Sequence, residues 1–451
     1  RNDSIIFRYV DDLGFKNIEP ITNANLFDYD NDGTLDLFFA NWFDKGRSGG
    51  PVANKLYAVK NGKIVNTSSA LTSELDEIDD NQFNIAPTFS SSTCDINNDG
   101  YPDILTSNSA WYPNKLWLSR KKGKSIVYDE VGKSSGFAMD SITSGAKYNG
   151  GNSTFAICGD YNNDGIDDAI ISAALWRGSA GRGGLDFGGG DGPANQRYNT
   201  GDTFIIFGNE ALRGQVIELS NQIDDIGQPT SEAISVIYGV DANDLLGEEL
   251  AAGDIDGDGL TDLVIGTLVS DGLDNLITEA GEAWVIFGTQ LARGQMIDLA
   301  SSIPDGSVAI YPDQPHSKGG DILRVADIDN DGFDDLLYGA PNYDPIALDQ
   351  STRINAGMLV ILFGSNNGLE ASEDNYILLP DQALRTSYII GTDAEDMMAY
   401  GLAIYDLDGD GILDIIPNGM GGDGPNNDLI NSGEIYAING KLFGTDSSIS
   451  R

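Results

Sequence analysis

Apolar and polar positions alternate in short blocks along the whole chain. Apolar runs bounded by Gly and Asp recur at Leu35–Ala40, Ile104–Ser107, Ala169–Ala173, Leu263–Gly266, Leu336–Gly339 and Ile415–Pro417. Runs this short, closed by turn residues, predict strands. A second series follows after a variable loop: Lys55–Val59, Lys115–Leu118, Phe204–Phe207, Ala283–Phe287, Met358–Phe363 and Glu434–Ile438. In the last four it ends at or near glycine: Gly208, Gly288, Gly364 and Gly440. Short apolar or small-residue segments such as Leu250–Gly253 and Leu402–Tyr405 precede each first run. A further strand, for example Ala233–Tyr238, Ser307–Tyr311 or Ser387–Ile390, completes the unit.

Between the first two strands of each unit lies a nine-residue pattern, Asp-x-Asp/Asn-x-Asp-Gly-x-x-Asp. It starts at Asp28, Asp95, Asp160, Asp254, Asp327 and Asp406, at intervals of 67, 65, 94, 73 and 79 residues by subtraction. The long interval carries its excess in one Gly-rich insertion, Ser172–Asp202, which reads as either a flexible loop or a functional one. Four short strands per repeat are the layout of a propeller blade, and one blade cannot bury both of its faces alone. The expected fold is therefore all-β, a β-propeller of four-stranded blades forming a single domain over 1–451. Six blades are preferred and seven remain open. The segment Ile5–Val10 is expected to close the ring by pairing into the last blade, which lacks a fourth strand of its own.

The acidic pattern suits a hard cation, which takes about six to eight oxygens at ~2.3–2.6 Å. Positions 1, 3, 5 and 9 supply side-chain oxygens, position 7 a backbone carbonyl, and the glycine at position 6 permits a sharp turn. The expected ligands are Asp28, Asp30, Asp32, Thr34 and Asp36; Asp95, Asn97, Asp99, Tyr101 and Asp103; Asp160, Asn162, Asp164, Ile166 and Asp168. The second half supplies Asp254, Asp256, Asp258, Leu260 and Asp262; Asp327, Asp329, Asp331, Phe333 and Asp335; Asp406, Asp408, Asp410, Ile412 and Asp414. An EF-hand needs glutamate at position 12, where this chain has Phe39, Thr106, Ile171, Ile265, Tyr338 and Pro417. Plain Asp-Gly turns on a solvated edge would explain one copy, but not six with the same positions filled. Oxygen-only ligands exclude zinc and copper, and Mg²⁺ demands stricter octahedral geometry, so about six Ca²⁺ are expected.

These repeats resemble those of integrin α-subunit-like propellers, the FG-GAP repeats. The strongest match is Asp327–Asp335, then Leu336–Pro341, then Leu359–Gly364; the first two copies, followed by Asn54–Tyr57 and Asn114–Trp117, look more like bacterial relatives. The resemblance implies an extracellular calcium-binding adhesion or recognition module, with ligands on the face opposite the calcium loops. It departs from integrins in carrying the loop in every recognised blade and in lacking the leg-like domains.

Composition narrows the partners. Asp plus Glu total 70 against 26 Lys plus Arg, a formal charge of −44, which argues against nucleic acid and anionic membranes. Aromatic residues make up 9% of the chain, which argues against disorder. No apolar stretch is long enough for a membrane-spanning helix. The chain begins at Arg1 with no signal-like segment and reads as a mature or trimmed fragment.

The loops joining second and third strands carry Trp42, Trp111, Tyr112, Trp176 and Arg177, either a ligand rim for a protein or glycan or residues capping their blades. No nucleophile or acid/base constellation is recognisable, and His316 is the one histidine. The expected function is binding rather than catalysis. A polysaccharide-acting enzyme and a self-assembling cell-surface or filament component are the alternatives. Cys94 and Cys158 sit at offsets −1 and −2 from their motifs, on opposite strand faces, so they are expected as buried thiols without a mutual bridge. Sequons stand at Asn2, Asn66 and Asn152.

Overall fold

The computed structural model describes residues 20–42, 52–72, 87–108, 114–131, 155–174, 190–209, 223–301, 303–346, 350–372, 374–380, 385–424 and 427–443. The expected closing strand Ile5–Val10, the rim residues Trp111, Tyr112, Trp176 and Arg177, and the sequons at Asn2 and Asn152 lie outside them.

Among the described residues the chain is all-β, with short 3-10 turns and no α-helix. Six sheets form, one for each acidic loop. The first runs β1 (Ile21–Phe27), β2 (Asp36–Asn41), β3 (Lys55–Lys60), β4 (Lys63–Asn66). The second holds β5 (Leu71–Thr72), β6 (Thr88–Cys94), β7 (Asp103–Asn108), β8 (Lys115–Lys122) and β9 (Ser125–Glu130), with β5 on the outer edge. The third is β10 (Ala156–Gly159), β11 (Asp168–Ala173), β12 (Asp202–Ile206) and β13 (Ile234–Tyr238). The fourth begins β14 (Glu249–Gly253), β15 (Asp262–Thr267), β16 (Glu282–Ile286); the chain then gives β17 (Met296–Asp298) to the third sheet before adding β18 (Val308–Pro312). The fifth is β19 (Ile322–Ala326), β20 (Asp335–Ala340) and β21 (Met358–Leu362). From there β22 (Tyr376–Leu379) joins the fourth sheet, and β23 (Thr386–Ile390) completes the fifth. The sixth is β24 (Met398–Tyr405), β25 (Asp414–Gly419), β26 (Glu434–Ile435). These are the six blades that the repeat predicts.

Blade width differs from the four strands expected. Three sheets have five strands and the sixth has three. The fifth strands β5, β17 and β22 pair in parallel with β9, β13 and β18. Two of them are borrowed from the connection between the third and fourth strands of the following repeat. An outer strand otherwise leaves a row of N–H and C=O groups unpaired, and the added strand covers it.

The described residues divide into two compact units of three blades each: 20–247 with Ala292–Ile303, and Glu248–Leu291 with 304–443. Within each unit the core lies between successive blades. One cluster joins Leu105, Leu118, Ile171 and Val236; another joins Val264, Val285, Tyr338 and Val360. The second strand of a blade is buried on both faces, as every residue of β7, β11, β15 and β20 shows. That is why these strands read as continuous apolar runs rather than alternations.

The cysteines correct the sequence reading. Cys94 at the end of β6 and Cys158 in β10 form a disulfide with Cα atoms 6.0 Å apart. The offsets do place them on opposite faces of their own sheets. However, β6 and β10 belong to stacked blades, where the front of one faces the back of the next. Opposite faces are therefore what a bridge between blades requires.

Candidate metal centres

Each acidic loop turns the chain from the first strand of a blade into the second. Five of the loops share one full hydrogen-bond scheme, and the fourth differs at one bond, where the Asp258 amide donates to Asp256 in place of Asp254. The position-1 aspartate accepts from the amides of positions 5 and 6: Asp32 and Gly33 donate to Asp28 at 3.0 and 2.7 Å, and Asp331 and Gly332 donate to Asp327 at 3.0 Å each. The position-5 aspartate accepts from the amide of position 7, as Thr34 N–H to Asp32 at 3.0 Å and Leu260 N–H to Asp258 at 2.7 Å. Two successive left-handed requirements shape the turn. Position 6 is glycine with φ of 84–93° in all six loops, and position 4 is Asn31, Asn98, Asn163, Gly257, Asn330 or Gly409, also at positive φ. Asparagine and glycine tolerate that region best.

Position 9 is the keystone. Asp36, Asp103, Asp168, Asp262, Asp335 and Asp414 are all buried. In five loops one oxygen accepts from the amide of position 2, as Ile328 N–H to Asp335 Oδ2 at 2.9 Å. The other oxygen accepts an amide from the third strand or the segment after it in all six: Val59, Ser119, Gly208, Gly288, Gly364 and Gly440 at 2.6–3.0 Å. The glycines of that set are required by close approach. A Cβ on Gly208, Gly364 or Gly440 would meet the carbonyl of Asp167, Asp334 or Leu413.

Position 8 couples neighbouring loops where it is aspartate. The Asp95 amide donates to Asp167 Oδ2 and the Asp254 amide to Asp334 Oδ2, each at 2.8 Å.

Four loops bring three carboxylates within ligand distance of one another, with oxygens no more than 4.8 Å apart: Asp28, Asp30, Asp32; Asp254, Asp256, Asp262; Asp327, Asp329, Asp335; Asp406, Asp408, Asp414. In the second and third loops, position 3 is asparagine, and its amide donates to position 9: Asn97 to Asp103 at 3.2 Å and Asn162 to Asp168 at 2.7 Å. Of the position-7 residues, Tyr101 has its carbonyl hydrogen-bonded by the Ser119 hydroxyl at 3.3 Å. Among the described residues, three carboxylate oxygens of the loops, Asp30 Oδ1, Asp254 Oδ1 and Asp329 Oδ1, are buried with no hydrogen-bond partner. A buried unpaired carboxylate oxygen is costly, and an oxygen-seeking cation is the group that would satisfy it. The residues fit Ca²⁺ in donor type and placement.

Burial sets the protonation of these groups. It pushes Asp103 up to about 8 and Asp168, Asp262 and Asp335 up to about 7, against the pull of their backbone hydrogen bonds. Asp36, Asp256 and Asp329 are raised for the same first reason.

Residues 246–286 and 319–358 match the FG-GAP repeat. These are FG-GAP repeats. The two matches run from the first strand of the fourth and fifth blades, through the acidic loop, to the third strand. Phe363-Gly364 lies just past the second match, and its glycine amide reaches the position-9 carboxylate. No curated protein sequence matches the chain.

Trp42, the rim residue that the structure describes, packs edge-on against Phe89 with ring centroids 5.8 Å apart, and its amide donates to the Pro20 carbonyl. His316 is exposed, 3.6 Å from Glu279. Sequence reasoning passed over positions 2, 4 and 8 and the third-strand amide. The signal for position 4 was legible, since only Asn or Gly stands there.

Proposed function

We propose that the chain is a calcium-stabilised recognition module that works outside the cytosol, with Ca²⁺ rigidifying the blades and a protein or glycan bound by the connections between second and third strands. The observation that carries the calcium reading is the set of buried, unpartnered oxygens on Asp30, Asp254 and Asp329 inside oxygen-only loops. Bound there, Ca²⁺ would neutralise carboxylates that otherwise repel one another, and the loop aspartates would hold it. The Cys94–Cys158 disulfide supports an oxidising compartment. No helix among the described residues is long and apolar enough to cross a membrane.

Thermal unfolding of metal-free protein with added Ca²⁺, beside a glycan array run in both states, tests this reading. Each loop filled at ten times its dissociation constant adds about 1.4 kcal/mol. The expected result is a calcium-dependent rise in melting temperature and a glycan or protein hit lost in chelator. An unchanged melting temperature removes calcium from the account; a rise without a glycan hit moves the search to protein partners.

The enzymatic reading rests on a different observation. Burial pushes Glu248 and Glu249 up to about 8 and Asp321 up to about 6. Perturbed carboxyls mark catalytic sites as well as structural ion pairs, and Glu249 is paired with Arg324 at 2.6 Å. Polysaccharide hydrolysis that is present in the native protein and lost in Glu248→Gln would favour this reading over binding.

A further inference from the structure

Among the described residues, four of the six loops hold a basic side chain against their carboxylates. Lys60 Nζ lies 2.7 Å from Asp30 Oδ2. Arg293 Nη2 lies 2.6 Å from Asp164 Oδ2. Arg385 Nη2 spans two ligand positions, 2.5 Å from Asp329 Oδ2 and 2.7 Å from Asp331 Oδ2. Lys441 Nζ pairs with Asp410 Oδ2.

All four are anchored at, or in the segment just after, a third strand. Lys60 and Lys441 directly follow Val59 and Gly440, whose amides bind the position-9 aspartates. The arginines come from later connections and lie over the phenylalanine of a Phe-Gly pair, Arg293 over Phe207 at 4.5 Å and Arg385 over Phe363 at 5.0 Å. A planar guanidinium stacks on such a ring while its edge donates to carboxylates. One segment therefore supplies both the amide for position 9 and the seat for the cation.

Which oxygens are used matters most. Lys60 takes Asp30 Oδ2 and Arg385 takes Asp329 Oδ2, while Asp30 Oδ1 and Asp329 Oδ1 stay buried and unpartnered. The basic group thus occupies one oxygen of the position-3 carboxylate and leaves the other available. The arrangement repeats in one loop of each unit.

We propose that Lys60 and Arg385 are positioning residues for divalent-cation binding in the first and fifth loops, with Arg293 and Lys441 acting alike in the third and sixth. The inference rests on the loops binding such a cation. A carboxylate already held in one orientation loses less freedom when the ion arrives, and partners that orient metal ligands are worth about ten- to hundred-fold in affinity. The positive charge by itself opposes a divalent ion, so the sign of the affinity change separates positioning from competition.

Equilibrium dialysis of the full chain against CaCl₂, together with native mass spectrometry to count bound ions, tests the proposal. Arg385→Gln and Lys60→Gln should each weaken one site by about ten-fold or more. Arg385→Lys should fall between, and Lys63→Gln, an exposed charge one turn from Lys60, should bind as the parent does. Lys60 is 45% exposed and lies in the other unit from Arg385, so its variant keeps the test open if Arg385→Gln does not fold. Unchanged or tighter binding in both Gln variants overturns the proposal while leaving the loops as calcium sites. A parent chain that binds no calcium overturns the loop reading itself.

Discussion

The Gly364 amide donates to Asp335 Oδ1 at 3.0 Å, tying the end of β21 to the last residue of the fifth acidic loop. The neighbouring Gly332 has a different reason to be glycine, since its φ is +93° and a Cβ there would meet nothing. Gly332→Ala should therefore cost about 1–2 kcal/mol of backbone strain. Gly364→Ala drives a methyl into the Asp334 carbonyl and should cost about 3 kcal/mol. Chemical denaturation of the two variants in the same calcium concentration checks the order; a costlier Gly332→Ala would refute the account.

Removal of the position-9 carboxylate strands two buried amides. Asp335→Ala leaves Ile328 N–H and Gly364 N–H without their acceptor. At about 1–3 kcal/mol for each orphaned donor, the loss should approach 2–6 kcal/mol. It should persist in metal-free protein, because the amides are unpaired with or without an ion. Urea unfolding in chelator reads this directly.

Stability should depend on pH in a direction set by burial. Asp168, Asp262 and Asp335 titrate at about 7 in the fold and Asp103 at about 8, well above the unfolded carboxylate value of about 3.9. The folded, metal-free protein then binds more protons than the unfolded chain. The contribution is fully present below the unfolded value and is lost as pH rises through about 7–8. Ca²⁺ supplies the missing positive charge at high pH and competes with protons at low pH. The calcium-induced rise in melting temperature should thus grow from pH 5 to pH 8. Melting curves of dialysed protein across that range decide it, and a metal-free melting temperature that climbs with pH would contradict it.

The Cys94–Cys158 bond closes a loop with a sequence separation of 64 residues. The chain-entropy estimate for such a loop is about 4 kcal/mol. Cys158→Ser should lower stability by that order, and reductant should lower the parent's melting temperature but not the variant's. Alkylation followed by mass measurement before and after reduction shows whether the bond is present.

Coupling between adjacent loops gives a local test. Asp334 belongs to the fifth loop, yet its carboxylate holds the amide of Asp254 in the fourth. Asp334→Ala should destabilise by about 1–3 kcal/mol and weaken calcium binding at the fourth loop. Ion counts that remain at the parent's value at limiting calcium would argue against this coupling.

Much of the site was readable as text because its parts are local. Nine consecutive residues carry the turn, the carboxylates and the glycine, and strand length and turn residues carry the blades. What escaped was separated in sequence. The parallel strand β17 is three residues of a connection, Met296–Asp298, with nothing in its own pattern to name β13 as its partner. The cysteine offsets define a face within each sheet, whereas the bond joins two sheets.

By itself the sequence determined the all-β class, six repeated blades and an acidic loop in each, since hydrophobic period and short-range spacing act within one repeat. Only the tertiary structure decided the rest. It showed that the third-strand amide closes on position 9, that Lys60 and Arg385 reach the loop carboxylates, and that Cys94 meets Cys158. Each of those joins residues brought together by folding, and the direction a side chain faces across packed sheets is a property of the packing.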